Sequence, residues 1–415
     1  MNNYNFSELS NGIQVVTETI PYLKSFSLGF WYKVGARDEN EKINGISHFL
    51  EHMFFKGTTK RSARRISEDI ESCGGYLNAF TSKEHTCIYG RGLGENLDKT
   101  FAILADMVQN PLLKDSHIKK EAGVIIDELN DINDNPEELI FDKIEEVLFE
   151  GNSLSYPIIG TEKNILNINN TSLLEFHSSH YKSDNLLISA SGDLTHEQIL
   201  KLVEKYFKNS SPSHKRNRKF LEKSSPKEIT IEKEINQVHS IIGKRTPGYN
   251  DSGRIKYQLL SNLLGESSSS RLFQAVREKL GITYQINSFL NSYQDISIFG
   301  VYFSTNDKQT EKVQSIIFKE FQKLRENKIS EKELNRTKEY LIGSMILGLE
   351  STNNRMMRMA NSILYFNRII TIEEQIERIK SVTADDIISI SKWILNEDEY
   401  SKIFVRSNNR TKYAA

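Results

Sequence analysis

Three residues within the stretch His-Phe-Leu-Glu-His, namely His48, Glu51 and His52, constrain this chain more than any other short segment. On an α-helix each residue turns by about 100°, so His52 lies about 40° around the helix from His48 and both imidazoles can reach one metal ion. Glu51 lies about 60° to the other side of His48, close enough to serve a water molecule on that metal. The neighbouring residues are apolar and predict a buried helix, roughly from Asn44 to Phe55, on which unpaired His and Glu would be costly. We therefore interpret the stretch as part of a hydrolytic metal site, and not as two helix histidines beside a surface glutamate.

The segment 115–134 is predicted to form a second helix that carries two glutamates within an apolar stripe. On a helix, five of its residues fall within about 80° of one another: Ile118, Glu121, Ile125, Glu128 and Ile132. A glutamate facing a core is almost always paired or bound to a metal. We predict that Glu128 is the third protein ligand. Glu121 either pairs with a buried Arg or Lys or supports the metal site. Zinc suits a His/His/Glu site best, with manganese or cobalt as alternatives.

The length and composition predict a globular protein of at least two domains. The chain has 415 residues, 38% of them hydrophobic and 26% charged, and a net charge of −1. A charge so close to zero gives no global basic field for nucleic acid. The two cysteines are too few for a disulfide framework, and no signal peptide or membrane span is evident, so we expect a cytoplasmic protein.

Both halves of the chain have the same order of predicted elements: strands, helices, strands and then long helices. This order predicts an α+β fold of two similar domains, each a mainly antiparallel sheet packed against helices. The N-terminal domain is predicted over 1–208 and the C-terminal domain over 228–415, with helical regions at 254–264, 310–327 and 331–365. Residues 209–227 are rich in Ser, Pro, Lys and Arg and predict a solvated linker. Its basic run could contact an acidic partner, but a plain linker is the preferred interpretation.

These residues resemble the metal site of the pitrilysin/insulinase family of peptidases, in which His-x-x-Glu-His is the inverted counterpart of His-Glu-x-x-His. The resemblance covers nearly the whole chain. It implies that Glu121 supports the site, that the strand Gly-Gly-Tyr-Leu-Asn-Ala-Phe-Thr binds extended substrate through the backbone of Asn78 and Ala79, and that Arg277 and Tyr284 reach the substrate from the second domain. Segments 156–161 and 269–272 resemble the family as well.

The length resembles that of the half-size members of the family, above all the catalytic subunit of mitochondrial processing peptidase and its bacterial homologues. Glu138 and Asp142 match acidic positions that receive an arginine of the presequence there, although a solvated acidic face is the default for such a pair. The full-length relatives have four domains, whereas this chain has two. The resemblance therefore implies a homodimer, in which the metal domain of one copy faces the Arg277/Tyr284 domain of the other.

The sequence thus predicts a zinc-dependent endopeptidase with one Zn²⁺ per chain and Glu51 as the general base. Its expected substrates are peptides or unfolded presequence-like segments with basic residues near the cut. Two alternatives stay open: a non-catalytic subunit or binding partner of a processing-peptidase complex, and a purely structural metal. The complete metal motif argues against the former, and three ligands with an open position argue against the latter.

Overall fold

The computed structural model describes residues 4–208, 218 and 225–407, which form two compact units. The first unit draws on Met1–Asn130, Gly151–Phe220 and Gly348–Ile370, and the second on Asp131–Glu150, Leu221–Leu347 and Thr371–Ala415. The domain boundaries at 208 and 228 stay a prediction. Most of the predicted linker, residues 209–217 and 219–224, lies outside the described residues.

The strands, in chain order, are β1 (Tyr4–Glu8), β2 (Gln14–Thr19), β3 (Ser25–Tyr32), β4 (Tyr76–Thr81), β5 (Thr86–Leu93), β6 (Leu186–Gly192), β7 (Glu228–Lys233), β8 (Val238–Pro247), β9 (Thr283–Ser292), β10 (Ile296–Thr305) and β11 (Ser401–Ser407). The α-helices are α1 (Ile46–Phe54), α2 (Ala63–Glu71), α3 (Leu97–Gln109), α4 (Asp115–Asp134), α5 (Pro136–Leu148), α6 (Glu162–Asn167), α7 (Asn170–His180), α8 (His196–Tyr206), α9 (Arg254–Ser261), α10 (Thr310–Glu326), α11 (Glu331–Gly348), α12 (Thr352–Phe366), α13 (Ile372–Ser381) and α14 (Ala384–Ile394).

The first unit is built on a six-stranded sheet with the order β1-β2-β6-β3-β5-β4. Only the β2–β6 pair in it is parallel, so the sheet is mainly antiparallel as predicted. Helix α12, from the second half of the sequence, packs its buried Met356, Met359 and Ile363 against Trp31 and Leu187 of this sheet. Burial of such side chains contributes about 1.5–3 kcal/mol each, which explains why this late segment belongs to the first unit.

The second unit is built on a five-stranded sheet with the order β7-β11-β8-β10-β9. Here only the β7–β11 pair is parallel. Leu259 of α9, Ile317 of α10 and Ile387 of α14 belong to its buried core. Helix α5 comes from the first half of the sequence, and its Ile144 lies beside Gly243 of β8, where an added Cβ would be 3.2 Å from the Ile144 side chain. Each sheet thus packs against helices, and the α+β prediction is confirmed.

Some elements differ from the prediction. The helical region predicted at 331–365 is two helices, because Ser351 begins a new helix by accepting a hydrogen bond from the N–H of Asn354. The region predicted as helical over 254–264 is an α-helix as far as Ser261 and a π-helix over Asn262–Glu266. Strands β1 and β7 were not predicted. Both lie at sheet edges and are largely exposed, so their sequences lack a strong apolar signal.

Across the part of the chain that the structure describes, none of the helices combines the length and apolar character that crossing a membrane requires.

Candidate active site

Helix α1 presents the His48/Glu51/His52 motif because its opposite face is apolar. Its buried residues include Ile46, Phe49, Leu50, Met53 and Phe54. This burial leaves the three motif residues on the side that faces away from that core. The prediction of a largely buried helix that carries both histidines on one face agrees with this arrangement.

The start of α1 is fixed by a carboxylate from outside the helix. Gly45 precedes the helix with a φ of 98° and offers no side chain for capping. Instead, Glu39 accepts hydrogen bonds from the backbone N–H groups of Gly45 and Ser47, both at 2.8 Å, and from Nδ2 of Asn44 at 3.0 Å. Burial raises the pKa of Glu39 to about 7, against the opposing effect of these hydrogen bonds.

Glu128 of α4 lies opposite both histidines. Its Oε1 is 3.7 Å from Nε2 of His48, and its Oε2 is 3.6 Å from Nε2 of His52. One ligand atom from each of the three residues lies within 4.8 Å of the others. These separations are too long for hydrogen bonds, but they are close to the roughly 3.3 Å that separates two ligands of a tetrahedral zinc ion.

A second carboxylate, that of Glu121, contacts the ring nitrogen of His52 that does not face Glu128. Oε2 of Glu121 is 3.2 Å from Nδ1 of His52, and Oε1 of Glu121 is 2.7 Å from Nζ of Lys56. The sequence left open whether Glu121 pairs with a lysine or supports the site, and the structure shows both contacts. A proton on Nδ1 of His52, donated to Glu121, leaves the lone pair of Nε2 directed at Glu128.

The histidines differ in their electrostatic surroundings. Burial and then the neighbouring His52 lower the pKa of His48 to about 4, so its imidazole is neutral and available as a ligand at neutral pH. Burial also disfavours the charged form of His52, but Glu128 and Glu121 outweigh it and the pKa of His52 is raised. Contact with His52 in turn lowers the pKa of Glu128. Two imidazole nitrogens and one carboxylate oxygen are a donor set that fits zinc.

Glu51 lies beside the three candidate ligands and is held by the sheet. Its Oε2 accepts a hydrogen bond of 2.6 Å from Oγ1 of Thr81, the last residue of β4. Burial raises the pKa of Glu51, against the hydrogen bond from Thr81. A partly buried carboxylate with a raised pKa beside a water-binding metal site is suited to proton transfer.

The strand that ends at Thr81 has an open edge. β4 is the last strand of its sheet and pairs with β5 on one side. The backbone N–H of Ala79 donates to Oδ1 of Asn78 at 2.8 Å, and Nδ2 of Asn78 donates to the hydroxyl of Tyr76 at 2.9 Å. The Asn78 side chain thus accepts from the N–H of Ala79, a backbone donor that an added strand would use.

Glu138 and Asp142 belong to the second unit, on helix α5. They line an open groove of about 510 Å³ together with Ile132, Asn135, Glu137 and Phe141. Asn135 caps the helix, accepting from the N–H groups of Glu137 and Glu138 and donating to Oε1 of Glu138 at 2.7 Å. Glu138 is exposed, so this groove presents negative charge to solvent.

Arg277 and Tyr284 are neighbours in the second unit. The Arg277 guanidinium lies over the Tyr284 ring at 5.1 Å and over the Phe273 ring at 5.0 Å. Tyr284 is 75% exposed, so it is not a core residue. Among the described residues, Arg277 has no carboxylate partner, and its contacts are the two aromatic rings. The pair therefore offers a stacked cation and a phenol to solvent.

Sequence reasoning missed three contributors to this site: Glu39, Lys56 and Thr81. The alternation of strand side chains places Thr81 on the same face as Ala79 and could have indicated it. Lys56 lies four residues after His52, one helical turn further on, which is a weak signal. No local pattern marks Glu39, because it caps α1 from before the Gly45 turn.

Comparison with known proteins shows the family and the fold of this chain. The family model described as "Insulinase (Peptidase family M16)" matches residues 14–162, and the model described as "Peptidase M16 inactive domain" matches residues 167–341. The fold is similar to that of a protease from Helicobacter pylori, with a TM-score of 0.92 and 22% identity over 98% of this chain and 99% of that one. It is also similar to a structure from Pseudomonas fluorescens described as a peptidase M16 inactive domain, with a TM-score of 0.90, 18% identity and 98% of each chain covered.

Curated relatives are similar over almost their whole length. A Rickettsia felis protein named "Uncharacterized zinc protease" is 36% identical, with 97% of each chain covered. The Bacillus subtilis protein named "Uncharacterized zinc protease YmxG" is 34% identical, with 96% of this chain and 97% of the relative covered. A match of this extent, with both family models, confirms the resemblance inferred from the motifs. The chain belongs to the insulinase family, peptidase family M16.

Proposed function

We propose that this chain is a zinc-dependent endopeptidase. The observation that carries the proposal is the convergence of His48, His52 and Glu128, with the Glu51 carboxylate held beside them. Family membership and the names of the zinc-protease relatives support it. Two free cysteines, Cys73 and Cys87, are in keeping with a reducing compartment, and we place the protein in the cytoplasm.

Three side chains would hold one zinc ion per chain: His48 and His52 through Nε2, and Glu128 through its carboxylate. A bound zinc ion supplies a Lewis acid and lowers the pKa of water towards neutrality. His52 is oriented for this task by Glu121, and Lys56 holds Glu121 in place through its second oxygen. Manganese or cobalt would suit the same donors less well.

Glu51 acts as the proton carrier of the reaction. One of its oxygens accepts from Thr81, which leaves the other free to take a proton from the attacking water. The same carboxyl then gives the proton to the leaving amine. Because Thr81 ends β4, the position of Glu51 is tied to the strand that we expect to bind the substrate.

Substrate binds as an additional strand on the β4 edge. Its backbone carbonyl would replace Oδ1 of Asn78 as the acceptor for the Ala79 N–H. A folded protein seldom offers an extended segment with free backbone groups, so we expect peptides and unfolded segments to be the substrates.

A preference for basic residues near the cut follows from Glu138 and Asp142. Both line the groove of the second unit, and exposed Glu138 contributes its carboxylate to solvent. An arginine or lysine of the substrate would pair with these carboxylates. Presequence-like segments, which carry such residues, are the expected class.

The substrate-contacting role of Arg277 and Tyr284 belongs to a homodimer in this proposal. The stacked pair, whose Tyr284 is exposed, lies in the second unit, whereas the candidate metal ligands lie in the first. Two copies with C2 symmetry would give two sites, each combining the first unit of one copy with the second unit of its mate.

The proposal is tested by incubating the purified chain with a library of unstructured peptides and identifying the cleavage products. We expect cleavage near basic residues, its loss after treatment with a chelator, and recovery with one equivalent of zinc. Binding of zinc without cleavage of any peptide would instead favour a non-catalytic subunit. Cleavage that persists in the chelator-treated, zinc-free protein would contradict the metal mechanism.

A further inference from the structure

Arg218, in the basic run of the predicted linker, pairs with two carboxylates of the first unit. The guanidinium of Arg218 donates to both oxygens of Asp38, from Nε at 3.0 Å and from Nη2 at 2.9 Å. It also donates from Nη1 to Oε1 of Glu84 at 3.2 Å and from Nη2 to the Glu84 carbonyl at 3.0 Å. Four donor contacts of this kind form a fixed, fork-like attachment that a lysine could not reproduce.

Arg218 belongs to a buried charge network that includes Arg37, Asp38 and Glu84. Nη1 of Arg37 donates to the same Glu84 oxygen at 2.7 Å, and the side chains of Arg37, Glu84 and Asp38 are 1%, 3% and 3% exposed. Without Arg218, the buried Asp38 carboxylate would lose the arginine that pairs with both of its oxygens. An uncompensated buried charge is strongly unfavourable, so the segments that carry Asp38 and Glu84 would shift to bring them into water.

One of these segments leads directly to Glu51. Glu84 lies in the turn between β4 and β5. Two carbonyls of this turn accept backbone hydrogen bonds: that of Ser82 from the N–H of Ala36 at 3.2 Å, and that of Lys83 from the N–H of Arg37 at 2.7 Å. Thr81, which donates to Glu51, is the residue immediately before this turn. A shift of the turn would therefore move the partner of the general base and the end of the substrate strand.

The other segment leads to the metal helix. Asp38 accepts from the N–H of Gly35 at 3.1 Å, which closes the tight turn that precedes Glu39. Glu39 in turn caps the start of α1 at Ile46, two residues before His48. The same guanidinium therefore stabilises two segments. One is the end of β4, which contacts Glu51, and the other is the turn before Glu39, which caps the helix.

We propose that Arg218 is a positioning residue for this active site, which fixes the geometry of Glu51 and of α1 through its contacts with Glu84 and Asp38. The inference rests on the proposed peptidase function for its kinetic consequence, but not for its structural one. It assigns a role to a residue that composition alone describes as part of a solvated linker.

The test compares Arg218→Met with Arg218→Lys and with the control Arg216→Met, which removes an arginine from the same basic run. All are assayed well below their unfolding midpoints for kcat, KM and zinc affinity. Hydrogen exchange is measured for peptides covering 46–54 and 76–85. For Arg218→Met we expect kcat to fall at least tenfold, with faster exchange in both peptides. Arg218→Lys, which keeps the charge, should recover part of kcat.

A double variant shows whether Arg218 acts through its partners. The variant Arg218→Met/Asp38→Asn is compared with its two single variants, Arg218→Met and Asp38→Asn. It lacks the unpaired Asp38 charge, so its loss of kcat should be smaller than the product of the two single losses. Losses that simply multiply in the double variant would overturn the proposal. So would a lower unfolding midpoint of Arg218→Met with kcat and hydrogen exchange unchanged. An equal effect of the control Arg216→Met would overturn it as well. If the wild-type protein cleaves nothing, the proposed function fails, and the exchange of the two peptides alone decides the role of Arg218.

Discussion

At the scale of single residues, the site depends on carboxylates that have more than one partner. Glu121 is 2% exposed, and its two oxygens contact His52 and Lys56. A carboxylate so placed holds the imidazole in one tautomer and makes it a better metal ligand. Glu121 can lie buried in an isoleucine stripe because both of its oxygens are paired.

Glu121→Gln should therefore weaken zinc binding by about 10–100-fold, since an amide carries no charge and can accept through only one of its two positions. Competition with a fluorescent chelator measures this change. Asp134→Asn, an exposed substitution on the same helix, is the matched control and should bind zinc as the wild type does. Unchanged zinc affinity in Glu121→Gln would remove the supporting role of this residue.

At the scale of elements, helix α1 depends on a cap that titrates. Glu39 accepts from two backbone N–H groups at the start of the helix, where a negative charge is also favoured by the helix dipole. Its burial nevertheless raises the pKa to about 7. The folded protein therefore keeps a proton on Glu39 at pH values where the unfolded chain, with a pKa of about 4.3, has lost it.

Stability should fall as the pH rises from about 4.5 to 7, because the folded state binds more protons than the unfolded state in that window. The shift in pKa corresponds to about 4 kcal/mol at most. Urea unfolding of the metal-free protein at pH 5 and pH 8 measures it. Glu39→Gln should lose this part of the pH dependence, whereas Glu41→Gln, an exposed neighbour, should keep it. The same pH dependence in all three proteins would contradict the assignment.

The exposed edge of β4 gives a second prediction for an element. Ala79→Pro removes the N–H that now donates to Asn78, at a strand edge where proline is tolerated. We expect kcat/KM for peptides to fall about tenfold, as one backbone hydrogen bond of about 1.4 kcal/mol is lost. Ala79→Ser retains the N–H and serves as the control. Equal kcat/KM for both variants would show that this N–H does not bind substrate.

The sequence was sufficient to predict that His48, His52 and Glu128 come together, because the information there is local. Two histidines one helical turn apart and a glutamate in an apolar stripe can be recognised from helical periodicity alone. The Glu39 cap and the Arg218 contacts could not be recognised, because they join residues through tertiary structure and leave no periodic trace. The assignment of α5 and α12 to units in the other half of the sequence escaped prediction for the same reason, since both are ordinary amphipathic helices.

At the scale of the whole molecule, the proposed homodimer predicts complementation between inactive chains. Glu51→Gln is mixed with Arg277→Ala/Tyr284→Phe, and subunit exchange is verified with differently tagged chains. A mixed dimer would contain one site with both sets of residues intact, so part of the activity should return. If exchange occurs without recovery, the two sets of residues do not act in a shared site.

The central claim, that this chain cleaves peptides with Glu51 acting beside a zinc ion, is tested most directly by the zinc content and turnover of Glu51→Gln. We predict one zinc ion per chain in both the wild type and the variant, and a turnover about 10²–10⁴-fold lower in the variant. Thr81 keeps a hydrogen-bond acceptor in the variant, so its fold should be retained. Cleavage by Glu51→Gln at the wild-type rate, with its zinc content unchanged, would contradict the account.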